Sequence, residues 1–459
     1  MSLLQIYDRI RPGSKFFALF AIMNLFLSSS EVQSFDHTIK NPDHGWIPVS
    51  PRGEIRPNFS QQPGKAPTEE PIWVIQTGAS IADHGWFQRS FPVKGGSWYQ
   101  FGAIKKTKDV ESPNRSAPAR IVWQDAQGKP VRANVPPNKS GEKAYIPLAE
   151  PEHPMDGSTN AEGWTEVRGV YQAPDSATQA LVELHLQWAP KGTVQWSRIS
   201  LMESTAPAPR KVRLATAHYV PTGKSVERNR EEYWHLILAA KAKGADLIVL
   251  GETINHTNLG KKPHEVAEPI PGPTTNYFSD LAKNQKIHIV VGLYERHDTV
   301  VYNSACLIGP DGMLVGTYRK VCLPHSEIED GVTPGKNFPV FDTKLGKVGM
   351  MICYDGFFPE VARGLALNGA EIVAWPVAGC NPLLSRARAC ENHIFLVSST
   401  YTDSKANWTI SAIYDRDGTP LAQADKWNTI AISEVDLSRP HFWRNNLGDF
   451  RSMIPRHRP

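Results

Sequence analysis

Apolar and polar residues alternate in two different rhythms along this chain. Before residue 205 the apolar positions recur every second residue in short runs: RSFPV, SWYQFGAIKKT, ARIVWQDA, WTEVRGVYQAP, QALVELHLQW and GTVQWSRISLME, divided by Pro and Gly. A period of two predicts strands, and strands at this spacing predict an all-β sandwich. Within LVELHLQW, Leu181, Glu183, His185 and Gln187 share one face against Val182, Leu184, Leu186 and Trp188 on the other, so one face is wet. STAPAPRK, residues 204–211, is a small-residue and proline linker and marks a domain boundary.

Beyond the linker the rhythm changes. KVRLATAHYV reads as a strand, VERNREEYWHLILAAKAKG as an amphipathic helix stopped by Gly244, and ADLIVLGE as a buried strand. NYFSDLAKNQK is helical, IHIVVGLYE a strand, and VYNSACLIGPDGMLVGTYRK a hairpin turning at Pro310, Asp311 and Gly312. PEVARGLALNGA and LSRARACENH are helices that alternate with the strands EIVAWPVA and FLVSSTY. A second hairpin, TISAIYDRDGTPLAQA, and a last strand, TIAISEVDL, follow. Such alternation predicts layered α/β with both sheet faces covered.

Composition narrows the class. With 459 residues, 41% hydrophobic and 21% charged, the chain reads as an ordinary globular protein of two or three domains. The net charge of +4 and the lack of a Lys/Arg block argue against a nucleic-acid partner. Arg9, Arg11 and Lys15 precede the apolar FFALFAIMNLFL and the small-residue SSSEVQS. This pattern predicts a secretory signal over residues 1–34 and a secreted or periplasmic protein, with an uncleaved anchor or a buried helix as the alternatives. All five cysteines lie between Cys306 and Cys390, in no CxxC or Cys/His zinc spacing. Neither a disulfide framework nor a metal or cofactor is expected, and Cys306, Cys322, Cys380 and Cys390 read as small buried hydrophobes.

Three residues carry candidate chemistry. Cys353 ends the apolar run KVGMMIC and opens YDGFFPE, a strand-to-turn junction where a thiol leaves the sheet to face a pocket. Glu252 ends ADLIVLGE, and Lys320 closes MLVGTYRK. Charges at the ends of buried strands are costly unless they meet. Together they supply a nucleophile, a base and a cation that favours the thiolate and then the oxyanion, with the Tyr354 backbone N–H as a second oxyanion donor. Taken singly each has a duller reading: a structural cysteine, a strand-end cap, a solvated hairpin end.

The stretches GET around Glu252, YRKVCLP around Lys320, and TPGKNFPVFDTKLGKVGMMICYDGFFPEVARGLALNGAEIVAWP around Cys353, with RARACEN later, resemble the carbon-nitrogen hydrolase, or nitrilase, superfamily over residues 211–440. The resemblance implies an αββα four-layer sandwich, here preceded by an all-β sandwich at 35–205 and followed by a tail at 441–459. It implies Glu252 as general base, Lys320 as electrostatic stabiliser and proton donor, and Cys353 as nucleophile. The family uses a second glutamate after the lysine, and in HSEIEDGVTPG either Glu327 or Glu329 fits; Glu329 is preferred because an apolar neighbour anchors it. The implied reaction is hydrolysis of an amide, with N-carbamoyl and nitrile substrates as alternatives, through a thioester. Acyl transfer to an amine is a variant, and the resemblance implies a homodimer or higher homo-oligomer. Family members acting on N-carbamoyl acids carry arginine just past the nucleophile, whereas Phe357 stands there in this chain, which favours an uncharged substrate.

Tyr354, Phe357, Phe358 and Trp375 either line the pocket or belong to the core. Asp355 and Glu360 read as turn and helix-start groups, and Arg363, Arg386 and Arg388 as partners of carboxylates inside the fold. The N-terminal strands resemble the closing strands of jelly-roll, carbohydrate-binding-like modules. Eight of thirteen tryptophans lie before residue 205, either filling a sandwich core or offering rings to a glycan. A glycan-binding adhesion protein with an inactive α/β scaffold is the competing function. Sequons begin at Asn58, Asn114, Asn138, Asn255 and Asn407; the one at Asn255, three residues from Glu252, reads as chance.

Overall fold

The computed structural model describes residues 45–64, 70–134, 146–403, 405–440 and 450–457. The expected leader, the sequon at Asn138 and most of the expected tail lie outside them. The chain divides into Met1–Ile47 and Pro48–Pro459, and of the first only residues 45–47 are described.

Within Pro48–Pro459 the early strands form two antiparallel sheets. One holds six strands in the order Asn58–Gln62, Ile72–Gln76, Thr193–Ser204, Trp98–Lys108, Thr165–Gln172 and Met155–Thr159. The other contains His84–Pro92, Gln179–Gln187 and Ala119–Gln124 in that order. Period-two alternation sends Phe101 and Ala103 from the first and Phe87, Ile121 and Leu184 from the second into the interior. Trp73, Trp123, Trp164 and Trp196 are buried there as well, so these indoles pack and do not face solvent.

Two further six-stranded sheets begin at Lys211. The first runs Leu314–Arg319, Val300–Ile308, His288–His297, Leu247–Val249, Lys211–His218, Thr429–Asp436. The second runs Val340–Thr343, Gly346–Met350, Ile372–Val377, Phe395–Thr400, Ala412–Tyr414, Pro420–Gln423. In each the three consecutive strands Lys211–His218, Leu247–Val249, His288–His297 and Gly346–Met350, Ile372–Val377, Phe395–Thr400 are parallel, and the outer pairings are antiparallel. The sheets face one another through Leu214, Val249, Val290 and Leu307 on one side and Val348, Met350, Ala374 and Val397 on the other.

On the first sheet the alternate residues Ala215, Ile248, Ile289 and Val291 point outward, against Leu236 and Ile237 of helix Trp234–Ala242 and Phe278 of helix Pro273–Gln285. Helices Pro359–Leu367 and Pro382–Asn392 bring Val361, Leu365 and Ala389 to the second sheet. The result is an α/β sandwich whose central strands are buried on both faces, as their unbroken apolar runs require. The expected long helix over 226–244 is instead two, Val226–Glu231 and Trp234–Ala242. The break falls at Glu232, whose carboxylate accepts from Tyr219 Oη and from Thr222 N and Oγ1. Cys306 and Cys380 are buried as expected, while Cys322 and Cys390 are only half-buried.

Candidate active site

Parallel strands end on one edge of a sheet, and loops leaving that edge converge. Glu252 lies three residues past Val249 and Cys353 three past Met350, while Lys320 directly follows Arg319. All three side chains leave their strands at the same place. Lys320 is 1% exposed, and its Nζ lies 3.1 Å from Glu252 Oε1 and 2.9 Å from Glu327 Oε2. The ammonium therefore bridges two buried carboxylates. Glu252 is fixed further by the Ala378 N–H, 2.9 Å from Oε2, and by Tyr401 Oη, which donates to its carbonyl at 2.5 Å. Strand His288–His297 passes so close behind that a Cβ on Gly292 would lie 2.8 Å from Glu252 Cα; only glycine fits.

Cys353 opens the tight turn Cys353–Phe357 with φ at +38°, a left-handed backbone that is strained for any residue but glycine. Several contacts hold that strain. Asp355, fully buried, accepts from Ile352 N, Cys322 N and Tyr318 Oη at 2.7 to 2.9 Å, tying the turn to the segment that carries Lys320. Arg388 donates Nε to Gly356 O at 3.1 Å and pairs with Glu391 at 2.7 Å. Trp375, expected as pocket or core, is fully buried beneath the turn and donates Nε1 to Cys353 O at 3.3 Å. It supports Cys353 from below and, fully buried, does not line a pocket. Tyr354 and Phe357 are half-buried, their rings 5.2 Å apart, with Phe358 against Tyr354 and Trp408 against Phe357.

Glu329 does not occupy the second-glutamate position. Its carboxylate is 66% exposed and pairs with His325, one turn earlier on helix His325–Glu329, whereas Glu327 faces inward to Lys320. Residues two apart on a helix project to opposite sides, and the apolar neighbour Ile328 is itself 59% exposed, so it anchors nothing. Arg363 and Arg386 donate to the carbonyls of Glu391 and Gly418, not to carboxylates as expected. Asn255 is fully buried and its Nδ2 donates to Val266 O and Tyr294 O, so this sequon is closed to a glycan.

Burial pushes the Cys353 thiol well above its ordinary range, and the Glu252 charge pushes it further, against the opposing pull of Lys320. Burial and Glu252 therefore disfavour the thiolate, and Lys320 favours it. Burial alone would lower Lys320, but Glu252, Cys353 and Glu327 outweigh it and hold the ammonium well above the lysine range. Asp355 is raised to about 6 by burial, with its three donors and Lys320 opposing. Asn303, Tyr294, Ala378 and Tyr401 were not among the sequence candidates. Only Asn303 carried a signal, an amide inside the buried half of a hairpin. Among the described residues no group of His, Cys, Asp and Glu is arranged to hold a metal ion.

A cysteine, a lysine and two glutamates thus gather at one end of an α/β sandwich, and the class is that of the enzymes acting on carbon-nitrogen bonds. The chain belongs to the carbon-nitrogen hydrolase family, whose model matches residues 180–445. The match begins inside strand Gln179–Gln187, which pairs within the early antiparallel sheets; the α/β sandwich itself starts at Lys211. A nitrilase of Pyrococcus abyssi is 38% identical over 238 residues, 49% of this chain and 90% of that protein. The human omega-amidase NIT2 is 32% identical over 239 residues, 48% of this chain and 84% of that protein. The crystal structure of Nit3 from Saccharomyces cerevisiae, a member of branch 10 of the nitrilase superfamily, is 27% identical with a TM-score of 0.45, covering 51% of this chain and 93% of that one.

Proposed function

We propose that Cys353, Glu252 and Lys320 hydrolyse an amide through a thioester. The observation that carries this is one buried ammonium, within 3.1 Å of Glu252 and 2.9 Å of Glu327, interacting with a cysteine whose backbone is held left-handed. Glu252 takes the thiol proton as sulfur bonds to the amide carbon. The oxyanion that forms is met by Lys320 Nζ and the Tyr354 N–H, such a donor being worth about 3 to 4 kcal/mol of the barrier. As the carbon-nitrogen bond breaks, Glu252 returns its proton to the leaving ammonia or amine. Water, deprotonated by Glu252, then splits the thioester, releasing the carboxylic acid and restoring the thiol. The upward shift of Lys320 makes it a fixed charge and a poor proton donor, so the transferred proton belongs to Glu252.

Tyr354, Phe357, Phe358 and Trp408 form a chain of ring contacts beginning one residue from the nucleophile, and Phe358 and Trp408 are 37% and 46% exposed. Arg388 beside them is committed to Gly356 and Glu391. These contacts support an uncharged, apolar acyl group over an N-carbamoyl acid. Residues 35–205 are proposed as an accessory sandwich appended to the catalytic domain at 211–440. The test is ammonia release across primary amides, N-carbamoyl compounds and nitriles, with Cys353→Ala as control. Release from apolar amides that disappears in Cys353→Ala is expected. Release only from nitriles or carbamoyl acids, or undiminished release by Cys353→Ala, would overturn the reading.

A further inference from the structure

Two buried carboxylates share one ammonium, and in a buried site their like charges repel. Asn303 is placed to oppose this. It is fully buried on strand Val300–Ile308, and its Nδ2 lies 2.9 Å from Glu252 Oε1 and 2.6 Å from Glu327 Oε1. An amide nitrogen carries two N–H donors, and here each carboxylate receives one. The orientation follows from chemistry, since the reversed amide would set an oxygen against two acceptors. The Asn303 carbonyl also accepts the Lys320 N–H at 2.8 Å, a main-chain contact that no substitution removes.

We propose that Asn303 is a positioning residue of the active site, which by donating one N–H to each glutamate keeps both charged and leaves Glu252 free to take the Cys353 proton. The proposal rests on the Glu252, Lys320 and Cys353 reading given above. The groups that face the pair come from every neighbouring element: Lys320 from the end of Leu314–Arg319, Cys353 from its turn, Tyr294 Oη on Glu327 at 3.2 Å, Tyr401 Oη on the Glu252 carbonyl, and the Ala378 N–H. Lys320 is already divided between the two, and Ala378 reaches only Glu252. Among these contacts Asn303 is the neutral side chain that donates to both carboxylates.

The test is the pH profile of kcat/KM for Asn303→Leu, which keeps the volume and removes both donors. The acid limb is expected to move up by about one pH unit or more, with kcat/KM at neutral pH down about tenfold and most of the loss in kcat. In Glu327→Gln the competing charge is gone, so adding Asn303→Leu should move the limb much less; a purely structural role would give the same loss in both backgrounds. Asn303→Ser, measured identically, replaces the leucine variant if that one does not fold. An unmoved acid limb with kcat/KM within about twofold overturns the proposal, as does failure of both variants to fold, which would assign Asn303 to folding alone. Cys353→Ala separates the two readings. If it stays active the triad reading fails, whereas an inactive Cys353→Ala with an unshifted Asn303→Leu removes only the role of Asn303.

Discussion

Two regions of this molecule bury charge among strands, and they do it differently. In the early sheets Lys105, 1% exposed, meets Asp156 at 2.8 Å and donates to the Ala117 carbonyl, while Arg120 meets Glu183 at 2.6 Å. Each of these two cations meets one carboxylate, and Glu183 also meets His185 Nε2 at 3.1 Å. At the ends of the parallel strands one ammonium serves two carboxylates, beside a thiol raised by burial and by the charge of Glu252. The proposed role of Glu252 as general base uses this second arrangement, in which one cation is divided between two acceptors.

The largest expected effect sets the two clusters furthest apart. Cys353→Ala should lower turnover by on the order of 10⁴-fold or more, whereas the paired change Lys105→Met with Asp156→Leu should leave kcat/KM within about twofold. Steady-state assays on both proteins check this, and lost chemistry in the second would erase the distinction. Next, Lys320→Met strands two buried carboxylates and should cost about 3 to 5 kcal/mol in urea unfolding, whereas Lys105→Met leaves Asp156 18% exposed and should cost less. Only Lys320→Met should also lower kcat, by about 10² to 10³-fold.

A smaller contrast lies within one helix. Glu327→Gln should reduce kcat/KM by about tenfold or more, and Glu329→Gln by less than twofold, because only Glu327 touches Lys320. The reverse order would restore Glu329 to the site. Finest of all is the pH dependence of thiol alkylation. Since the Glu252 charge raises the Cys353 thiol, Glu252→Gln should bring alkylation of Cys353, followed by peptide mass mapping, to lower pH than in the wild type. A shift to higher pH would mean that Glu252 does not face the sulfur.

The chain's own pattern carried much of this architecture. Runs such as LIV, IVAWPV and FLVSST can be strands buried on two sides and little else, and the change from period two to alternating strands and helices after residue 205 marks where the α/β sandwich begins. Glu252, Lys320 and Cys353 stood out for the same reason, as polar groups at the ends of strands that otherwise exclude them. Which of Glu327 and Glu329 turns inward was not legible, because two residues on one short helix differ only in the direction they face. Nor was the support around them. Asn303 and Tyr294 reach the site from neighbouring strands, and Asp355, Trp375 and Arg388 hold the turn at Cys353. Local sequence determines which segments must be buried and which groups are too costly to bury alone. Only the assembled sheets decide which groups meet, because a hydrogen bond between residues 24 or 51 positions apart, as Asn303 makes to Glu327 and Glu252, depends on strand order and register that no single segment contains.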